Sequence, residues 1–158
     1  MIYRIYDFLK LENLHTYEGG KMKIEKVLVV EDDHEKIRRI VHVLEEMEIK
    51  EYFIARNADT AIKMAKSTKL DLLITDIVFP YSAEKQVSRG ERTGIKMIKE
   101  LANGNIKIPT IIYSFSPLSK SNLQELEKEE YPLLFQIMDS MVLKQILKKL
   151  LCETKESG

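Results

Sequence analysis

Three short apolar runs end on polar groups that can do oxygen chemistry. "VLVV" (27–30) runs into Glu31, Asp32 and Asp33, "DLLIT" (71–75) ends at Asp76, and "PTIIY" (109–113) ends at Ser114. Carboxylates brought together repel: two unit charges about 4 Å apart cost about 4 kcal/mol at an effective dielectric near 20. Such a cluster needs a cation or a proton. An all-oxygen, partly hydrated site suits Mg²⁺, which takes one or two carboxylates, waters and a substrate phosphate. With that charge in place Asp76 can act as a nucleophile toward a phosphoryl group and form an aspartyl phosphate. The Ser114 hydroxyl can donate a hydrogen bond to the attached phosphoryl. Acids after a strand also commonly cap the next helix, which is the plainer reading of "EDD". Asp76 closes so apolar a strand that it needs a partner.

The elements that must gather these groups are readable from periodicity. "IEKVLVV" (24–30), "LDLLIT" (70–75) and "PTIIYSF" (109–115) are compact β-branched runs of the type found in parallel strands covered on both faces. "EYFIAR" (51–56) and "PLLFQIM" (132–138) are weaker strands. Between them, "HEKIRRIVHVLEEME" puts Ile37, Ile40, Val41, Leu44 and Met47 on one helical face. "NADTAIKMAKST" offers Asn57 or Asp59 as a cap and Ala61, Ile62 and Ala65 as a buried stripe. "GIKMIKELANGN" runs from Gly94 to a stop at Asn103-Gly104. "SKSNLQELEKEE" and "DSMVLKQILKKLL" complete the set, the last with Asp139 or Ser140 as cap. Five βα units in alternation predict an α/β, flavodoxin-like doubly wound (βα)5 fold. Its five-stranded parallel sheet has the order 2-1-3-4-5, and ligands bind beyond the carboxyl ends of the strands. In that order Asp76 lies between the acid pair and Ser114.

Composition sets the outer bounds. The 158 residues are 44% hydrophobic and 32% charged, with 25 acids and 25 Lys plus Arg, as in a globular domain with no global field for nucleic acid or an anionic membrane. No apolar run is long enough to span a bilayer, and no secretory signal precedes the domain, so a cytoplasmic protein is expected. The single cysteine, Cys152, has no internal partner. Residues 1–23 stand apart as an N-terminal extension before a domain at 24–151 and a tail at 152–158. The extension reads either as a short helix (Ile2, Ile5, Tyr6, Leu9) docked on the domain or on a second copy, or as translated leader. In the second reading "EGGKM" back-translates to a ribosome-binding sequence and Met22 is the natural start.

"VLVVEDDHEKIRRIV", "DLLITDIVFP" and "IPTIIYSFS" resemble the receiver domain of bacterial two-component response regulators, over residues 24–151. The resemblance implies that Asp76 is the phosphoacceptor and that Glu31 and Asp32 bind Mg²⁺ with the backbone carbonyl of Val78. It implies that Ser114 is the hydroxyl residue that turns toward the phosphoryl group. The implied donor is the phosphohistidine of a histidine kinase or phosphotransfer protein. Activity beyond phosphoacceptance is expected to be self-phosphorylation and autodephosphorylation at most.

Three departures stand out. Where receivers carry a lysine at the end of the fifth strand, this chain has Gln136, whose amide can donate a hydrogen bond but brings no charge; Lys144 lies too far into the next helix to replace it. The aromatic switch position reads Leu133, flanked by Tyr131 and Phe135. Gly94 follows Pro80 by fourteen residues, an unusually long interval, and the inserted "YSAEKQVSRGERT" carries Lys85, Arg89 and Arg92. That insertion is a solvated loop, a source of a cation for the phosphoryl group, or a selector of partners. The expectation is a stand-alone receiver, monomeric or weakly dimeric, with output through protein contact. Its competitor is a pseudo-receiver interaction module that works without phosphorylation. A phosphohydrolase acting on small substrates would need a general acid beside the nucleophile and a substrate pocket, which the sequence does not offer. His15, His34 and His42 have no metal-ligand spacing.

Overall fold

The computed structural model describes residues 5–7, 21–84, 92–115, 118–129 and 134–151. Its elements are β1 (Ile5–Asp7), β2 (Lys26–Val30), α1 (His34–Glu46), β3 (Glu51–Ala55), α2 (Ala58–Ser67), β4 (Leu72–Thr75), α3 (Thr93–Asn103), β5 (Thr110–Tyr113), α4 (Lys120–Glu127), β6 (Leu134–Ile137) and α5 (Ser140–Leu150). The sheet runs β1-β6-β5-β4-β2-β3, and every neighbouring pair is parallel. Its last five strands, β2 to β6, have the expected order 2-1-3-4-5. The sixth, β1, comes from the N-terminal extension, where the sequence allows a short helix. Ile5, Tyr6 and Asp7 pair with Leu134, Phe135 and Gln136, so the extension's β-branched and aromatic residues are used on the otherwise open edge of β6.

Alternation along the strands divides the core in two. Val27, Val29, Leu72, Ile74, Ile111, Tyr113, Phe135 and Ile137 pack with residues of α1 and α5. Leu28, Val30, Leu73, Ile112 and Leu134 pack with residues of α2, α3 and α4. Period-two strands with both faces covered are what near-continuous apolar runs produce in a parallel sheet. On α1 the buried face holds Lys36, Ile37, Ile40, Val43 and Leu44, so Val43 takes the inward place expected for Val41. Among the alternatives left open for caps, Asn57 Oδ1 accepts the Thr60 amide at 2.8 Å and Asp139 Oδ1 accepts the Val142 amide at 2.9 Å. Among the described residues no helix is long and apolar enough to cross a membrane.

Register fixes where the polar strand ends meet. Val30 pairs with Thr75, Thr75 with Ile112, and Ile112 with Gln136. Glu31, Asp76 and Tyr113 therefore follow on the next rung of one sheet edge, with Gln136 one rung behind.

Candidate functional site

The acids of "EDD" take three different directions. Glu31 turns inward and is 1% exposed; its Oε2 accepts the amides of Asp32 at 3.1 Å and Asp33 at 3.2 Å. Asp33 caps α1, accepting the Glu35 amide at 3.3 Å. Asp32 is exposed. Across the edge, β4 delivers Asp76, whose Oδ1 accepts the Ile77 amide at 2.6 Å and whose backbone amide bonds Val30 at 3.1 Å. Among the described residues no three His, Cys, Asp or Glu side chains gather closely enough to hold a metal. Glu31 and Asp76 are the pair of acids that share one cation.

Between the pair sits a lysine that neither strand supplies. Lys36, in the first turn of α1 and 3% exposed, places its Nζ 2.8 Å from Glu31 Oε1 and 3.0 Å from Asp76 Oδ2. It also donates to the Tyr113 carbonyl at 3.2 Å. The rings of Tyr113 and Phe115 lie 5.1 and 5.0 Å from the ammonium. Opposite unit charges 3 Å apart attract by roughly 5 kcal/mol at an effective dielectric near 20, which is what offsets burial of the charges. Burial works against the Lys36 charge, yet Glu31 and Asp76 hold its pKa above the usual lysine value. One cation between two acids leaves negative charge in excess. Burial and the nearby Asp76 charge push Glu31 up to about 7, against the pull of Lys36. The cation beside Asp76 comes from α1, not from β6. Its signal is the helical period. Lys36, Ile40 and Val43 fall at i, i+4 and i+7, so the apolar face continued one turn backward lands on a lysine.

Gln136 is 2% exposed and its Oε1 accepts the Leu118 amide at 3.0 Å. It ties β6 to the segment entering α4. Ser114 is buried at the end of β5, with its amide bonded to Ile137 at 3.1 Å. Val78 lies in the loop beyond Asp76 and is 39% exposed. Phe135 is buried in the core beneath α5, while Tyr131 and Leu133 lie outside the described residues. Of the insertion's cations, Arg92 lines a groove of about 500 Å³ between α3 and α4, beside Tyr81, Lys96 and Lys99. Lys85 and Arg89 lie outside the described residues, as do His15 and Cys152. His34 and His42 are exposed on α1.

The ends of the insertion are fixed although its middle is long. The carbonyls of Pro80 and Tyr81 accept the first amides of α2, from Ala58 and Asp59, at 3.1 and 2.8 Å. Gly94 returns to the Asp76 loop, its amide bonding the Ile77 carbonyl at 2.7 Å. A Cβ there would lie 2.3 Å from the Asp76 carbonyl oxygen and 2.9 Å from Ile77 Cα. Close backbone approach, rather than torsion, requires this glycine.

Glu31 and Asp76 are hard oxygen donors of the kind Mg²⁺ takes, and the Lys36 ammonium stands between them.

A family model described as "Response regulator receiver domain" matches residues 27–149. A comparison with curated proteins by sequence returned no match. Among solved structures, the Francisella response regulator 1452 receiver domain is 24% identical with a TM-score of 0.56, covering 78% of this chain and 93% of its own. The chemotaxis protein CheY4 of Vibrio cholerae is 19% identical with a TM-score of 0.62, covering 81% and 99%. The activated N-terminal receiver domain of Klebsiella pneumoniae RstA is 19% identical with a TM-score of 0.58, covering 78% and 96%. At these identities the likeness speaks to the fold.

Proposed function

The chain belongs to the response regulator receiver family, and we propose that its Asp76 accepts a phosphoryl group from the phosphohistidine of a histidine kinase or phosphotransfer protein. An Asp76 carboxylate oxygen forms the new O–P bond as the N–P bond breaks. The imidazole nitrogen leaves with the bonding pair and takes a proton from water. Glu31 and Asp32, with Asp76 and the Val78 carbonyl, would hold Mg²⁺, which when bound supplies positive charge to the transferring oxygens. The Ser114 hydroxyl donates to a phosphoryl oxygen, and hydrolysis of the acyl phosphate resets Asp76. Output runs through contact with another protein in the cytoplasm, by a monomer or weak homodimer, and not through nucleic acid.

The observation that carries this reading is the carboxylate of Asp76 at the open end of a buried strand, 3.0 Å from a cation that it shares with Glu31. Incubation with acetyl phosphate and Mg²⁺ should add the mass of one phosphoryl group, and Asp76→Ala should abolish the addition. The same label should appear on mixing with a phosphorylated histidine kinase of the host.

One observation favours a second reading. The Lys36 ammonium already offsets both acids, and Gln136 is committed to Leu118, as suits a module that binds its partner without phosphorylation. Wild-type protein that takes no label from any donor, yet still binds its partner, would establish that reading instead.

A further inference from the structure

We propose that Lys36 is the cation that meets the phosphoryl group, supplied by α1 in place of the β6 lysine that this chain lacks. The inference rests on phosphorylation of Asp76 and adds the residue that stabilises the product.

The geometry is specific. Nζ sits among three oxygens from three elements: Glu31 after β2, Asp76 after β4, and the carbonyl of Tyr113 at the end of β5. Asp76 Oδ1 is engaged by the Ile77 amide, and Oδ2 faces Lys36. A phosphoryl group attached to this carboxylate therefore forms beside an ammonium that is already desolvated and held by fixed partners. That arrangement costs no reorganisation when charge arrives. Among the described residues Lys36 is the buried cation. Gln136, the alternative, has no charge and keeps its carbonyl on Leu118. A lysine used only to balance Glu31 would not need to touch Asp76. The third contact, to the Tyr113 carbonyl, links the ammonium to the strand whose next residue is Ser114.

The test compares wild type, Lys36→Met, Lys36→Arg and the double variant Lys36→Met with Gln136→Lys. Binding of beryllofluoride, a phosphoryl mimic, is measured by calorimetry in the presence of Mg²⁺; Mg²⁺ affinity is measured separately without it. Losing one partner of a buried charge pair should weaken beryllofluoride binding at least about tenfold in Lys36→Met. Mg²⁺ binding in that variant should hold or tighten, because a competing cation is gone. Lys36→Arg should keep part of the affinity, and Gln136→Lys in the double variant should recover most of it. Beryllofluoride affinity in Lys36→Met equal to wild type overturns the proposal, as does a double variant no better than the single. Should Lys36→Met fail to fold, the wild type decides. The ¹⁵Nζ resonance of Lys36 must shift on adding beryllofluoride to the Mg²⁺-loaded protein, and a stationary resonance refutes the role. Wild type that binds neither beryllofluoride nor a phosphoryl group rejects the receiver reading itself, a different result from a silent Lys36 in a responsive protein.

Discussion

Glu31 and Lys36 show how a buried charge is decided by its neighbours rather than by its type. Glu31 is pushed up to about 7 because burial and Asp76 outweigh Lys36, so the folded state binds a proton that the unfolded state has already released. Between about pH 4.5 and 7 the unfolded chain holds fewer protons than the native one, and stability attributable to Glu31 falls as pH rises. Below that window the group is neutral in both states and contributes nothing. Metal-free Glu31→Gln should match wild type near pH 4 and exceed it at pH 8 by on the order of 2 kcal/mol. Chemical denaturation at both pH values checks this; a difference that is constant across the window would contradict the assigned shift. Asp32 and Asp33 lie next in sequence yet play other parts, one facing solvent and one capping α1. Their division could not be read from "EDD", because three consecutive acids differ only in the direction that the backbone gives them.

At the scale of elements, the connection from β4 to α3 is long in sequence but closed in space. Pro80 and Tyr81 cap α2 at one end, and Gly94 docks on the Asp76–Ile77 peptide at the other. Gly94→Ala would drive a methyl group into the main-chain atoms of Asp76 and Ile77. Overpacking of this sort costs about 1–3 kcal/mol, and acetyl phosphate labelling of Asp76 should slow with it. Gly104→Ala is the matched control, since its Cβ would meet the Leu101 carbonyl at an ordinary 3.5 Å. Thermal melts of the two variants should differ by several degrees; equal melting points would mean that the loop yields freely. The boundaries of β2 to β6 and of their helices were legible because parallel strands buried on both faces are unbroken apolar runs. The pairing of β1 was not, since three residues on an edge take their register from β6 rather than from any pattern of their own.

For the molecule as a whole, one sheet serves two apolar layers, and the long-range ties close it. Met22 bonds the Leu150 carbonyl at 2.6 Å, joining the chain entering β2 to the end of α5. Leu73 and Ile74 are adjacent on β4 but face opposite layers. Because both layers share the sheet, Leu73→Ala and Ile74→Ala should each leave one cooperative transition and lower its unfolding free energy by about 2–5 kcal/mol. Two separate transitions in either variant would show that the layers unfold independently.

The sequence by itself determined the doubly wound fold and the edge on which Glu31, Asp76 and Ser114 emerge. Periodicity, strand composition and right-handed crossover are local rules, and strand order converts them into a shared edge. By its resemblance to receiver domains it also marked Gln136 as standing where a lysine is expected. Only the tertiary structure decided where the site's cation comes from. A lysine side chain is long and flexible, and its head goes where opposite charge is buried. The acids that attract Lys36 follow two different strands, brought together by pairing between residues that are far apart in the chain.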